Sequence, residues 1–354
     1  MKHTRICFKR PLLRGLCLLL CAALALPLAA CGETKMEQRQ VFAMDTFMTL
    51  TAYGKKAEAG LDAAEGVITS MDAMLDPDLP TSTTYAINHA NGANTVVSAQ
   101  VAKMLSTAKT VYDNSGGALD LTIYPLVRRW GFIDQKYYLP TDVEISAEML
   151  KMCFDQMVLT SFPASGSYSV TLPVGAELSF GAVAKGCAAD NAIDAMRQAG
   201  VTSGIVSLGG NVQTLGLRPD DSLWTVAIQD PNNTSAYVGV INVGQTAVVT
   251  SGSYERYFTA MNGRNYHHIL NPATGYPANN SLLSATIICE DGTLADCLST
   301  AMFVLGEGRA LSYWRTYGGF DMILVTNDNR IICTAGLIEK FTLTNDNYKV
   351  SYSE

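Results

Sequence analysis

Charge is scarce in this sequence, and basic charge is scarcer still. Charged residues make up 16% of the 354, against ~25% in an ordinary soluble domain. Five of the 25 basic residues, Lys2, Arg5, Lys9, Arg10 and Arg14, crowd ahead of an apolar run near the start. From Cys31 onward that leaves 20 basic residues against 32 acidic ones, a net charge of −12. A chain this acidic is a poor partner for nucleic acid. Histidine is nearly absent: beyond the N-terminal segment there are only His89, His267 and His268. Five cysteines follow position 31, an odd number with no CxxC. That argues against a disulfide framework and against a thiolate zinc site. The fifteen-residue apolar run from Leu16 to Ala30 is shorter than the ~20 residues a spanning helix needs. With 48% hydrophobic residues, extensive disorder is excluded as well.

The basic residues, the short apolar run and the ending Leu28-Ala29-Ala30-Cys31 read together as a secretory signal over residues 1–30. A small-residue stretch closed by Cys is the pattern at which bacteria cleave a leader and attach lipid. Cys31 is therefore the expected lipidation site. The expected place of the protein is the extracytoplasmic face of the bacterial cell membrane. Residues 31–40 read as a polar tether and 41–354 as one folded unit.

Along that unit, β-rich and helical patterns are mixed without strict alternation. Val41 to Tyr53 is β-rich. Leu61, Ala64, Val67, Ile68, Met71 and Leu75 recur at helical spacing. Residues 76–94 read as a polar loop, and a helix is expected from about Val97 to Tyr112. Another runs from Val183 to Ala199, closed by Gly200. A series of short strands follows, including one over 254–260. A helix over 294–305 is expected with Thr293 as its N-cap, and two or three strands finish the chain. The class expected is α+β: one large mixed domain of antiparallel-rich sheets packed with helices.

Five segments can carry chemistry. On the helix at 294–305, Asp296 and Thr300 stand four residues apart and share a face. A carboxylate on a mostly apolar helix needs a partner. Asp plus a hydroxyl is a partial shell for Mg²⁺; a local Thr–Asp hydrogen bond is the plainer reading. In LSFGAVAKGCAAD (178–190), a helix start near Val183 offers free N–H groups to phosphate, with Lys185 as a point charge. On its own this is a weak signal, and a simple turn at Gly181 with a solvated lysine is the plainer reading. In YHHILNPATGYPA (266–278), adjacent histidines on a strand face opposite ways, so they cannot share a metal. One of them faces inward, as a base or as a structural group bonded to the turn. Gly209-Gly210-Asn211 is a hairpin turn or a close approach to a ligand. The run 248–258 places Thr250, Ser251 and Gly252 ahead of a strand.

In their order along the chain these segments resemble one family. MDTFMTL (44–50), GGALDLTIYPLVRRWGF (116–132), FGAVAKGCAAD (180–190), SLGGNVQTLG (207–216), VVTSGSYERYF (248–258), YHHILNPATGYP (266–277) and ADCLSTAMFVLG (295–306) are similar to those of the ApbE-like FAD:protein FMN transferases. The resemblance implies FAD as substrate and Mg²⁺ on its diphosphate. A Thr hydroxyl of an acceptor protein attacks the FMN phosphorus, and AMP leaves. It implies Asp296, Thr300 and the carbonyl of Ala182 as metal ligands, and His268 as the base. It implies Met44, Ala118, Leu119, Asp120, Ser179, Lys185, Gly209, Gly210 and Asn211 around the dinucleotide, with Tyr85 stacking on adenine. The usual acceptors are FMN-binding subunits of membrane redox complexes. Two positions depart from the family: Ser179 and Asn271 stand where many members have Asp. The alternatives are a Mg²⁺-dependent FAD pyrophosphatase, with water as acceptor, and a lipid-anchored FAD-binding protein that would need no metal pair.

Overall fold

The computed structural model describes residues 35–354. The expected leader and Cys31 lie outside the described residues. Among the described residues, no helix is long and apolar enough to cross a membrane.

A nine-stranded sheet organises the rest. Its strands run, edge to edge, Met36–Ala43, Thr46–Tyr53, Gly204–Leu208, Asn211–Leu215, Ala247–Gly252, Leu282–Cys289, Asp321–Thr326, Arg330–Thr334 and Lys349–Ser353. Every neighbouring pair is antiparallel except the last. Runs such as MILVT are continuous because both faces of the central strands are covered. Met322 and Leu324 face the helices, with Ala285 and Ile287 beside them. Ile323 and Val325 face the other way, onto Trp224, Val226 and Ile241 of a three-stranded sheet. Side chains alternate on a strand, so the two cores interleave in the sequence. The layers are helices, large sheet and small sheet, as the α+β expectation required.

Several boundaries differ from the sequence reading. Met36–Gln40, expected within a polar tether, belong to the first strand, which pairs from Met36↔Tyr53 to Ala43↔Thr46. It is an edge strand, and on the face it shares with buried Val41 and Ala43, toward the Ala57–Leu75 helix, Arg39 reaches Asp62 at 2.6 Å and Glu65 at 2.8 Å. The loop 76–94 contains a helix, Thr83–Asn88, whose cap is the Ser82 hydroxyl accepting the Tyr85 amide at 2.9 Å. Thr250, Ser251 and Gly252 lie within the strand Ala247–Gly252 rather than ahead of one. The strand expected over 254–260 shrinks to Tyr257–Thr259. Glu307–Tyr317 is a further helix that the periodicity did not show.

Candidate active site

Two hairpin turns form the floor of the site. Met44–Asp45 joins the first two strands, and Gly209–Gly210 joins Gly204–Leu208 to Asn211–Leu215. Both are two-residue loops with both residues in the left-handed region: φ is 50° and 58° in the first, 55° and 91° in the second. Such turns match the twist of the strands they join. The glycines adopt this freely. Met44 does not, and a side-chain-bearing residue held there marks strain of the kind found at functional sites. Its amide is tied to Asp72 Oδ1 at 2.9 Å. The turns touch: a Cβ on Gly209 would lie 2.5 Å from Thr46 Oγ1. Both border a cavity of about 710 Å³.

One wall of that cavity is made by two helices, Ala184–Gln198 and Gly292–Leu305. They meet at glycine on both sides, where a Cβ on Gly186 would lie 2.1 Å from the Gly292 carbonyl oxygen. This closeness lets each helix cap the other. The first-turn amide of Gly186, one of the donors a helix start leaves unpaired, donates to Asp296 Oδ2 at 2.8 Å. In return Asp190 accepts the amides of Gly292 and Thr293 at 2.8 and 2.9 Å, and the Thr293 hydroxyl at 2.6 Å. Thr293 is thus a donor to Asp190, and the N-cap expected of it is Asp291, whose Oδ1 accepts the Leu294 amide at 2.9 Å. Asp296 is 3% exposed, and among the described residues its carboxylate accepts only that one hydrogen bond, at Oδ2. One turn on, Thr300 Oγ1 lies 3.3 Å from Ser251 Oγ, which also bonds Ser299 Oγ at 2.8 Å.

Asp296, Thr300, Ser251, Thr250 and Ala182 all line the cavity. Their donors are oxygens: one carboxylate, hydroxyls and a carbonyl. This set suits a hard cation that completes its shell with water and phosphate. It does not suit a protein-only cage: among the described residues, no group of three or more His, Cys, Asp or Glu is placed to hold a metal.

The facing wall carries His268. The amide of His268 donates to the Arg256 carbonyl at 3.0 Å, and its Nδ1 lies 3.2 Å from the same oxygen. A carbonyl only accepts, so Nδ1 carries the proton and Nε2 keeps its lone pair. Removal from water, with the charges of Arg256 and Lys185 nearby, pushes the pKa of His268 down to about 3. The ring is therefore neutral across the whole physiological range. His267 turns the other way, as two adjacent strand positions require. Its Nε2 lies 3.1 Å from the Ala278 carbonyl, its ring sits edge-on to Phe303, and its Nδ1 is buried without a partner.

Most of the residues expected at the site line this one cavity: Met44, Ala118, Leu119, Asp120, Ser179, Ala182, Lys185, Gly209, Gly210, His268, Asp296 and Thr300. Asp120 also has a local task, its Oδ1 accepting the Thr122 amide at 2.7 Å and hydroxyl at 2.6 Å. Two expected residues are not there. Tyr85 stacks on His89 with centroids 3.7 Å apart and does not line the cavity. Both rings stand on one face of the short helix, a register invisible while 76–94 read as a loop. Asn211 is 1% exposed; it opens the strand behind the turn, so the alternation of the ladder turns its side chain into the protein. Asn271 serves its turn, Oδ1 accepting the Ala273 amide at 2.9 Å.

Glu255 and Arg256, which the sequence reading assigned no role, also line the cavity. Glu255 approaches the floor closely: a Cβ on Gly210 would lie 2.9 Å from its Oε1. Removal from water, opposed by Lys185 and reinforced by Asp296, raises its carboxyl to about 7. Arg256 is anchored by Nη2 donating to the Phe132 carbonyl at 2.7 Å. The available signal was two adjacent charges inside an otherwise strand-like run, SYERYF.

Comparison with known proteins agrees with this geometry. The ApbE family model matches residues 44–324. The FAD:protein FMN transferase of Treponema pallidum (strain Nichols) is 31% identical, over 88% of this chain and 91% of its own. That of Klebsiella pneumoniae (strain 342) is 34% identical, over 75% and 81%. Among solved structures, the ApbE protein of Thermotoga maritima superposes with a TM-score of 0.76 at 26% identity, covering 84% of this chain and 96% of that one. The apo flavinyl transferase ApbE of Pseudomonas stutzeri gives 0.73 at 26% identity, covering 89% and 95%. With the family match spanning the floor, the helix wall and the His268 wall alike, the chain belongs to the ApbE family.

Proposed function

We propose that this chain is an FAD:protein FMN transferase that moves the FMN part of FAD onto a threonine hydroxyl of an acceptor protein and releases AMP. The observation that carries this reading is the pairing of two walls on one cavity. One holds a buried carboxylate with a hydroxyl beside it, and the other a neutral imidazole with Nε2 unprotonated. In the reaction the acceptor oxygen forms a bond to the FMN phosphorus as the bond from that phosphorus to the AMP oxygen breaks. The hydroxyl proton goes to His268 Nε2, and AMP departs with the bonding electrons.

Mg²⁺ held by Asp296, Thr300 and the Ala182 carbonyl would neutralise the diphosphate charge. Lys185 and Arg256 add fixed positive charge along the same cavity. An anionic diphosphate beside His268 opposes the nearby cations and strengthens the imidazole as a base. The Gly209–Gly210 turn presents backbone to the ligand with no side chain in the way. Water in place of the hydroxyl would turn the same site into an FAD pyrophosphatase.

The N-terminal sequence supports a further part of the proposal: export, lipid attachment at Cys31, and action on an FMN-binding subunit of a membrane redox complex. The test is to incubate the protein with FAD and Mg²⁺, with and without such a domain carrying an exposed Thr, and to weigh the domain by intact mass spectrometry. A gain of one FMN residue with equimolar AMP supports transfer. AMP and free FMN with an unlabelled domain would establish hydrolysis instead. Cys31→Ser should abolish lipid labelling.

A further inference from the structure

Where the base lies fixes where the acceptor must come. A hydroxyl that gives its proton to His268 Nε2 has to approach within ~2.6–3.2 Å. His268 directly follows the strand Asn265–His267, and Arg256 directly precedes the partner strand Tyr257–Thr259. Both residues line the cavity. The two legs of this antiparallel ribbon therefore start from the cavity, and a protein delivering a hydroxyl to it must pass beside them.

The ribbon has a held part and a displayed part. Phe258 is held, stacked on Tyr137 at 5.1 Å and on Tyr266 at 5.6 Å. The tip is displayed: Met261 is 108% exposed, and Tyr257, on the outgoing leg, 47%. The tip is also shaped in advance. Ala260 donates to the Arg264 carbonyl and Gly263 to the Ala260 carbonyl, both at 2.9 Å, and Asn262 Nδ2 donates to Tyr266 Oη at 2.9 Å. A small ribbon ordered by its own hydrogen bonds, holding an unbranched thioether and a phenol in water, is a preorganised apolar contact.

We infer that this ribbon is the docking surface for the acceptor protein, which lays an extended segment along it from the cavity, with an apolar side chain against Met261 at the tip. The inference rests on the transfer reading and adds the partner's path to it. The probe is the apo form of an FMN-binding domain with an exposed Thr, titrated against wild type, Met261→Asp, Met261→Leu and a Tyr257→Ser/Met261→Asp double variant. Met261→Asp should raise the KM for the domain about tenfold, the scale of one good apolar contact, and the double variant should raise it further. The kcat at saturation and the slow release of AMP without the domain should stay at wild type. Met261→Leu should keep the wild-type KM. An unchanged KM in both aspartate variants overturns the docking surface alone. So does a changed sedimentation coefficient, or lost binding to phosphatidylglycerol vesicles, with KM intact; the tip would then hold a second copy or a lipid surface. A wild type that releases AMP but never labels the domain overturns the transfer reading, and the docking path with it.

Discussion

The two walls of the cavity are built on opposite plans. The helix wall joins segments more than a hundred positions apart, and each helix start is closed by a carboxylate from the other. The base wall hangs on three-residue strands, a size with little stability of its own. It is supported by an aromatic group around the buried Trp130, whose Nε1 donates to the Gly275 carbonyl at 3.0 Å. The division follows the chemistry. A dinucleotide charge needs ligands fixed before it arrives, since preorganised dipoles and charges cost no reorganisation during reaction. A protein acceptor meets instead a small ribbon whose tip is ordered by its own hydrogen bonds.

Removing the charge from the helix wall should cost most. Asp296→Ala should lower transfer by roughly 10³-fold, the scale of one main electrostatic stabiliser. It should also cost about 1 kcal/mol of stability, because the Ala184–Gln198 helix loses its cap. Asp296→Asn separates the two effects: its side-chain oxygen still accepts the Gly186 amide, so melting should recover while activity does not. Equal recovery of both would assign Asp296 to structure alone. Thr300→Ala should be milder, since a hydroxyl brings a dipole where the carboxylate brings a full charge.

The base wall comes next. His268→Ala should lose about 10²-fold in transfer and keep FAD affinity, measured by flavin fluorescence, whereas His267→Ala should be nearly silent in rate. With the His268 pKa pushed down to about 3, turnover should show no rise through the ordinary histidine range near 6.5; an inflection there would mean that ligand binding restores a normal pKa. The same depression acts on stability. The unfolded chain takes up the proton first, so stability should fall as pH drops from about 6.5 toward 3, a trend thermal melts can follow.

Smaller effects sharpen the contrast. Gly186→Ala should push the helices apart at a cost of about 1–3 kcal/mol, and magnesium titration should show weaker activation. Trp130→Phe should speed amide exchange over 257–267, read by mass spectrometry, with little change in FAD affinity; equal change on both walls would deny that they are independent. Tyr85→Phe should change neither rate nor FAD affinity, because its ring lies on His89.

Most of the cavity was legible in the sequence because its residues sit in compact motifs with unusual composition. Asp296 stands out as the one carboxylate on an apolar helix, and His268 as one of very few histidines. The paired glycines at 209–210 announced a turn. What escaped is what depends on partners distant in sequence. Asp190 is an ordinary carboxylate until the Gly292–Leu305 helix is laid against it. The Ala247–Gly252 strand, carrying Thr and Ser in the middle of the sheet, does not alternate, because both of its faces are covered. Asn211 and Tyr85 were misplaced by one strand register and one unrecognised helix.

The reciprocal capping of the two helices also sets the order in which the protein becomes competent. A chain emerging from its N-terminus has its floor turns and the Lys185 helix well before residue 292 exists. Until then the Gly186 amide has no Asp296 to receive it, and Asp190 has no helix start to close. A shortened chain ending anywhere before this point would carry Lys185 but not Asp296, the buried carboxylate that faces the same cavity. The helix wall of the cavity is thus closed late, only in chains that extend past residue 296.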